Sequence, residues 1–220
     1  MRWKKKLNKK SFKMKIGIAL DGVVRDFMGQ LEKTYDKYYP QELEEGEELP
    51  ERKIKSFDLL EYFNFTGGTQ ELNEFLYVDS ALEVFGHAGE SKLNAVQHLN
   101  QLHNWIEDEG HEPIIISKEL NNSKPSTLFF LSKLSVKFNT IKFVREYENK
   151  WDYVDVLITA NPYTLDSKPQ GKVSIKVIND YNINNQSDYS IVDLKEILED
   201  KTVLNKVLNT QTVSFTEVIE

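Results

Sequence analysis

Short apolar runs rich in Ile and Val recur along the chain, and each is followed closely by polar residues. Residues 15–24 read KIGIALDGVV, and Asp21-Gly22 interrupts the apolar pattern near the end of the run. Such a run is typical of a buried strand in a parallel sheet that leads into a loop. Four later runs predict further strands, at 113–117, 141–144, 153–158 and 173–178.

Between these runs, apolar residues repeat at helical spacing. The pattern predicts helices over 27–39, stopped by Pro40, over 91–109, stopped by Gly110, and over 126–134. Strands that alternate with helices indicate an α/β fold, here a Rossmann-like three-layer sandwich with a mostly parallel sheet. In such folds the ligand crevice lies beyond the carboxyl ends of the strands.

The stretch 54–88 has a different pattern, with short aromatic-rich segments broken by glycines. It predicts a small helical cap inserted after the first strand, preceded by an acidic loop at 41–51. We interpret its aromatic residues as the cap's own core, with a base-stacking platform as the alternative. They are Phe57, Tyr62, Phe63, Phe65, Phe75 and Tyr77. The predicted division is a basic arm at 1–14, a cap at 28–90 and a core made of 15–27 and 91–220.

Composition narrows the class of protein. Hydrophobic residues make up 40% and charged residues 29% of the 220 positions, as in folded soluble proteins. No apolar stretch reaches the ~18 residues of a membrane helix, and there is no cysteine. The absence of cysteine excludes disulfides, thiolate nucleophiles and cysteine zinc sites, and is compatible with a reducing compartment. We therefore expect a soluble cytoplasmic protein.

Charge is distributed unevenly. The net charge is −7, yet eight of the 28 basic side chains and none of the 35 acidic ones lie in residues 1–15. A cationic arm on an acidic body favours contact with nucleic acid, an anionic membrane surface or an acidic protein, and a solvated tail is the alternative. The candidate partner-binding residues are Arg2, Lys4, Lys5, Lys6, Lys9 and Lys10.

Four segments, taken in order, carry a family resemblance. Residues 19–27 read ALDGVVRDF, Ser117 ends the second predicted strand, Lys150 or Lys124 supplies a lysine, and residues 155–162 read DVLITANP. This order resembles the haloacid dehalogenase-like phosphohydrolases, and most closely their deoxyribonucleotidase-type branch. The corresponding strings there are DxDGVxxDF and DxLIDDNP. The resemblance implies the same fold with a helical cap, and a bacteriophage source.

The sequence departs from the family pattern at its acids. The resemblance implies a nucleophilic aspartate where Ala19 stands and an acidic pair where Thr159 and Ala160 stand. A methyl group cannot attack phosphorus, and Mg²⁺ would retain little beyond the Asp21 carbonyl, water and the Thr159 hydroxyl. We expect no cofactor, with Mg²⁺ only if residual activity exists. The vestigial site comprises Ala19, Asp21, Ser117, Lys150, Thr159 and Ala160.

The remaining polar groups suggest two uses. An anion could be held with the help of the main-chain amides after the first strand, by Asp21, Gly22, Ser117, Lys124 and Lys150. Alternatively, Asp21 and Asp26 cap the loop and the next helix while Lys150 neutralises Asp21. The four histidines show no metal-binding spacing, so no metal site is expected.

Three functions follow from these observations. The leading expectation is a catalytically inactive protein of phosphatase fold that serves as a structural or interaction component of an assembly. With the phage source that the resemblance implies, this would be a virion or a phage–host complex in the host cytoplasm. The alternatives are a residual 5'-nucleotidase-like phosphohydrolase, with Asp21 or Asp26 as general base, and a nucleic-acid-binding protein that acts through the arm.

Overall fold

The computed structural model describes residues 13–40, 52–200 and 202–206. Its centre is a parallel sheet of six strands in the order β3-β2-β1-β4-β5-β6, which confirms the predicted α/β fold. The strands are β1 (Lys15–Ala19), β2 (Glu112–Lys118), β3 (Ile141–Val144), β4 (Val156–Thr159), β5 (Val173–Val177) and β6 (Tyr189–Ile191). Their carboxyl ends meet at one edge of the sheet, which we call the carboxyl edge.

The first strand is shorter than the sequence pattern predicts. It ends at Ala19 because the Leu20 carbonyl accepts hydrogen bonds from the amides of Val23, Val24 and Arg25, at 3.2, 2.8 and 2.9 Å, which turn the chain away from the sheet. β1 lies in the middle of the sheet, between β2 and β4, and its Ile16 and Ile18 side chains are fully buried. The apolar run therefore covers a central strand and a tight turn.

Six α-helices accompany the sheet within the described residues. They are α1 (Phe27–Tyr38), α2 (Gly68–Glu74), α3 (Ala95–Asp108), α4 (Ser123–Lys133), α5 (Pro162–Asp166) and α6 (Leu194–Glu199), and residues 202–206 are also helical. α3 begins four residues later than predicted, because Asn94 adopts a left-handed conformation with φ 58° and Glu90 accepts the Val96 amide. The sequence pattern did not predict β6, α5 or α6.

Three apolar clusters stabilise the described part of the molecule, the smallest of which joins Ile114, Ile116, Val144, Trp151, Val154 and Leu157. The largest one packs the sheet against α3 and α6, through residues such as Leu99, Leu102 and Ile197. The second joins α1 to the segment 54–86, and we refer to these elements together as the cap. The six aromatic residues singled out above belong to this second cluster: four are buried, and Phe57 and Tyr62 pack against it half-buried. Their interpretation as core packing is confirmed.

Part of the predicted organisation lies outside the described residues. The six candidate partner-binding residues of the arm and the whole acidic loop at 41–51 are among these. Within the described part of the chain, no helix is both long and apolar enough to cross a membrane.

Candidate functional site

The structure brings most of the predicted site residues to the carboxyl edge. Asp21 follows β1 by two residues, Ser117 is the next-to-last residue of β2, and Thr159 ends β4. Ala19 lies opposite Ile116 in the sheet register and is 1% exposed, while Ala160 follows Thr159 and is fully buried. Where the resemblance implies acids, the edge thus presents two buried methyl groups and a hydroxyl.

A buried ionic network, centred on Arg25, occupies this edge. The Arg25 side chain is 0% exposed, and its Nε donates to Asp21 Oδ1 at 2.6 Å. Nη1 donates to Thr127 Oγ1 at 2.6 Å and to the Phe85 carbonyl at 3.4 Å, and Nη2 donates to Glu119 Oε1 at 2.9 Å. Burial opposes the charge, but Asp21 and Glu119 outweigh it and raise the Arg25 pKa above its ordinary value. The guanidinium is therefore a permanent cation inside the protein.

Glu119 is the second fully buried member of the network. Its Oε1 accepts from Ser117 Oγ at 2.8 Å and from Thr127 Oγ1 at 2.6 Å, in addition to Arg25. Burial raises the Glu119 pKa, and the charge of Arg25 partly offsets that effect. The Ser117 hydroxyl, predicted to contact an anion, is thus already donated to a carboxylate.

Lys150 lies close to this network without joining it. Its side chain is buried, and burial lowers its pKa to about 8, partly offset by the negative charges of Asp21 and Glu119. The ammonium nitrogen lies 5.5 Å from the centroid of the Tyr147 ring. The interpretation that Lys150 neutralises Asp21 by pairing needs correction, because Arg25 is the ion-pair partner of Asp21. The other candidate lysine, Lys124, is exposed on α4 and takes no part in the network.

The main-chain amides after β1 are also engaged. Three of these amides donate hydrogen bonds to the Leu20 carbonyl, as described above. In addition, the Gly22 amide donates to the Arg25 carbonyl at 2.9 Å. Gly22 adopts φ +72°, and a Cβ there would collide with the Tyr181 hydroxyl and the Ala160 methyl group. The turn that was expected to cradle an anion is therefore closed by its own carbonyls and packed against Tyr181.

Asp26 has the structural role given as an alternative above. Its carboxylate accepts the Gly29 amide at 3.1 Å and is the N-cap of α1. This part of the structural interpretation is confirmed.

The donor set does not fit Mg²⁺. The ion requires near-octahedral oxygen ligands, usually with one or two carboxylates free to coordinate. Here the Asp21 carboxylate is paired with Arg25, and Thr159 Oγ1 accepts the Asn161 amide at 3.1 Å. Nowhere in the described ranges do three or more His, Asp or Glu side chains form a group able to hold a metal.

Aromatic side chains cover the network. The Phe57 ring of the cap lies among three core tyrosines, with centroid distances of 5.8 Å to Tyr147, 5.9 Å to Tyr163 and 5.5 Å to Tyr181. Burial raises the pKa of Tyr181, and nearby Asp21 raises it further. Burial also raises the pKa of Tyr147, and nearby Tyr77 of the cap raises it further.

Comparisons with known proteins identify the fold. No protein-family model and no curated protein matches the chain. Among solved structures, a haloacid dehalogenase-like hydrolase from Streptococcus pneumoniae superposes with a TM-score of 0.51 and 12% identity, over 85% of this chain and 97% of that one. The chain has a haloacid dehalogenase-like fold.

Two further structures are similar at lower scores. One is a dehalogenase with a TM-score of 0.48 and 10% identity, covering 86% of this chain and 96% of that one. The other is a haloacid dehalogenase-like hydrolase from Xanthomonas campestris with a TM-score of 0.45 and 14% identity, covering 90% and 98%.

Arg25 and Glu119 are the residues that sequence reasoning missed. Arg25 is part of the string ALDGVVRDF, and Glu119 follows Ser117 by two positions, so both lie next to residues that were singled out. A single basic residue between Asp21 and Asp26 in this turn, and an acidic residue just after a buried strand, are the signals that could have suggested a pair. Neither has periodic spacing, so a pattern search does not find them.

Proposed function

We propose that this chain is a catalytically inactive protein of haloacid dehalogenase-like fold that serves as an interaction component of a larger assembly. The observation that carries the proposal is the Arg25 ion pair with Asp21, at the strand end where Ala19 and Ala160 stand and the resemblance implies acids. Covalent phosphoryl transfer needs a nucleophilic oxygen and a means to neutralise the developing charge. The edge offers a methyl group at the first position and an internally neutralised carboxylate beside it.

The residual-phosphohydrolase alternative requires Asp21 or Asp26 as a general base. A general base must reach the proton that it accepts. Asp21 accepts 2.6 Å from Arg25 Nε, and Asp26 caps α1, so both carboxylates already have partners. These contacts favour the inactive protein over the enzyme.

Phosphatase activity is the direct test. The purified chain is incubated with Mg²⁺ and a panel of deoxynucleoside monophosphates, and release of inorganic phosphate is measured. We expect no release above that of an Asp21→Asn variant. Phosphate release that depends on Asp21 would overturn the proposal, whereas release that survives Asp21→Asn would come from another site or a contaminant.

The basic arm is the proposed contact surface, because no acidic residue near it in the sequence offsets its positive charge. Following the resemblance, we propose a bacteriophage particle or a phage–host complex as the assembly. The test replaces Arg2, Lys4, Lys5 and Lys6 by alanine and measures incorporation of the chain into the assembly. A matched control replaces the exposed lysines Lys33, Lys53, Lys124 and Lys142. Equal incorporation of both variants would contradict a role for the arm.

Nucleic-acid binding through the same arm is the second candidate, and the salt dependence of affinity tests it. If six or more cations contact phosphates, affinity should fall by roughly a thousandfold or more between low and physiological salt. The arm variant should then lose both affinity and salt dependence. An affinity that does not change with salt would exclude this candidate.

A further inference from the structure

We propose that the buried Arg25 side chain holds the cap closed on the core, with Phe57 as a second point of attachment. The proposal rests on the proposed absence of catalysis and deepens it. A crevice that must admit a substrate needs a cap that can open, whereas these contacts fix the cap in place. The attachment of the cap to the core can be measured by methods other than an activity assay.

The first point of attachment is the guanidinium itself. Three of its partners belong to the core: Asp21 after β1, Glu119 after β2, and Thr127 on α4. The fourth is Phe85 of the cap, which contributes its carbonyl at 3.4 Å and its ring, whose centroid lies 4.8 Å from Arg25 Cζ. One buried cation thus contacts the ends of two strands, a core helix and the cap.

Neighbouring contacts align the same part of the cap. The Asn122 amide donates to the Tyr77 carbonyl at 2.9 Å, and its side chain donates to the Val78 carbonyl at 3.1 Å. Lys133 of α4 donates to the Gly86 carbonyl at 3.0 Å. The cap segment 75–86 is therefore tied to the core through main-chain carbonyls, which do not depend on the identity of the cap side chains.

Phe57 provides the second point of attachment. Its ring is in contact range of Tyr147, Tyr163 and Tyr181, all of which belong to the core, and it also stacks on Phe27 of α1 at 6.4 Å. Aromatic pairs of this geometry contribute beyond the area that they bury. Grooves of about 300 and 370 Å³ both adjoin Tyr181 along the cap–core boundary, and Phe57 lines the smaller one.

Each attachment has a distinct signature in hydrogen exchange. Local opening exposes the amides of the segment that opens, without global unfolding. In the full chain, Arg25→Ala should speed exchange in 75–86 by about tenfold or more beyond any change in α3 and α6, whose protection follows the global stability. Guanidinium ion, added far below denaturing concentrations, should restore protection to this variant because it can occupy the vacated site. Lys124→Ala is the matched control and should change nothing.

Phe57→Ala gives an independent reading that leaves the ionic network intact. It should speed exchange in 52–65 by a similar factor, with 75–86 unaffected, because Arg25 still holds that side. Unchanged exchange in the cap of both variants would overturn the proposal. Equal acceleration in core and cap by Arg25→Ala would also overturn it, since Arg25 would then be a general stabiliser. Faster exchange in the cap of the Arg25→Ala variant, without any phosphatase activity, supports both proposals. Asp21-dependent activity in the unmodified chain overturns only the proposed function.

Discussion

The cap cluster and the Arg25 network lie two residues apart in sequence, at Phe27 and Arg25, and are stabilised in different ways. The cap cluster consists of apolar and aromatic side chains, with ring centroids such as those of Tyr35 and Phe63 at 5.1 Å. Many of these contacts are small, and each can be altered with a local effect. The network instead buries charges whose stability depends on every partner being present. The cap can therefore vary in sequence, whereas the network must be kept or lost as a unit.

The largest expected effect comes from breaking the network on one side. Glu119→Leu leaves Arg25 buried with Asp21 as its only carboxylate, and we expect a loss of roughly 3–5 kcal/mol in the free energy of unfolding. Urea denaturation measures it. The paired substitution Arg25→Met with Glu119→Leu removes both charges, so it should cost less than the sum of the two single variants. If the losses of the two single variants add up to the loss of the double variant to within about 0.5 kcal/mol, the two residues do not act together.

A smaller loss is expected where the network turn packs most tightly. Gly22→Ala introduces a side chain at φ +72° and forces it against Tyr181 and Ala160. We expect a loss of about 2–3 kcal/mol, part from the backbone conformation and part from overpacking. Gly110→Ala is the matched control, because its φ is +84° and a Cβ there meets no atom within 4 Å.

Thermal unfolding of the two variants separates these contributions. The control should lose only the part due to backbone strain, about 1 kcal/mol. Equal losses in both variants would mean that Tyr181 does not press on the turn.

The same contrast explains how much of the structure could be predicted from sequence. The strands at 141–144 and 173–178 and the aromatic core of the cap follow periodic apolar patterns, and the structure has them close to the predicted bounds. β6 has three residues and α6 has six, which is too short for a period to stand out. Arg25 and Glu119 are paired across 94 residues of sequence, and no local pattern records such a contact.

Titration of Lys150 tests a buried charge that lies beside the network without a direct ion pair. Its pKa of about 8 means that the folded protein releases the proton near pH 8, while an unfolded chain keeps it to about 10.4. The unfolded state therefore binds more protons between these values, and stability should rise with pH by at most about 1.4 kcal/mol per unit.

The Lys150→Met variant should lack this rise, and Lys124→Met should keep it. Urea denaturation at about pH 7.5 and about pH 9, on either side of the Lys150 pKa, measures the difference between the variants. Parallel pH profiles for the unmodified chain and Lys150→Met would show that Lys150 stays protonated in the folded protein.

The smallest expected effect marks the boundary between the two regions. Asp26 follows the network turn and caps α1, which carries Phe27 and Leu31 into the cap cluster. Asp26→Ala removes the acceptor of the Gly29 amide, so we expect a loss of about 1 kcal/mol in urea denaturation, while Asp26→Asn should be nearly neutral because asparagine caps equally well. If Asp26→Asn lost as much as Asp26→Ala, the negative charge of Asp26 would matter more than its cap. The ionic character of the network would then extend into the first turn of the cap helix.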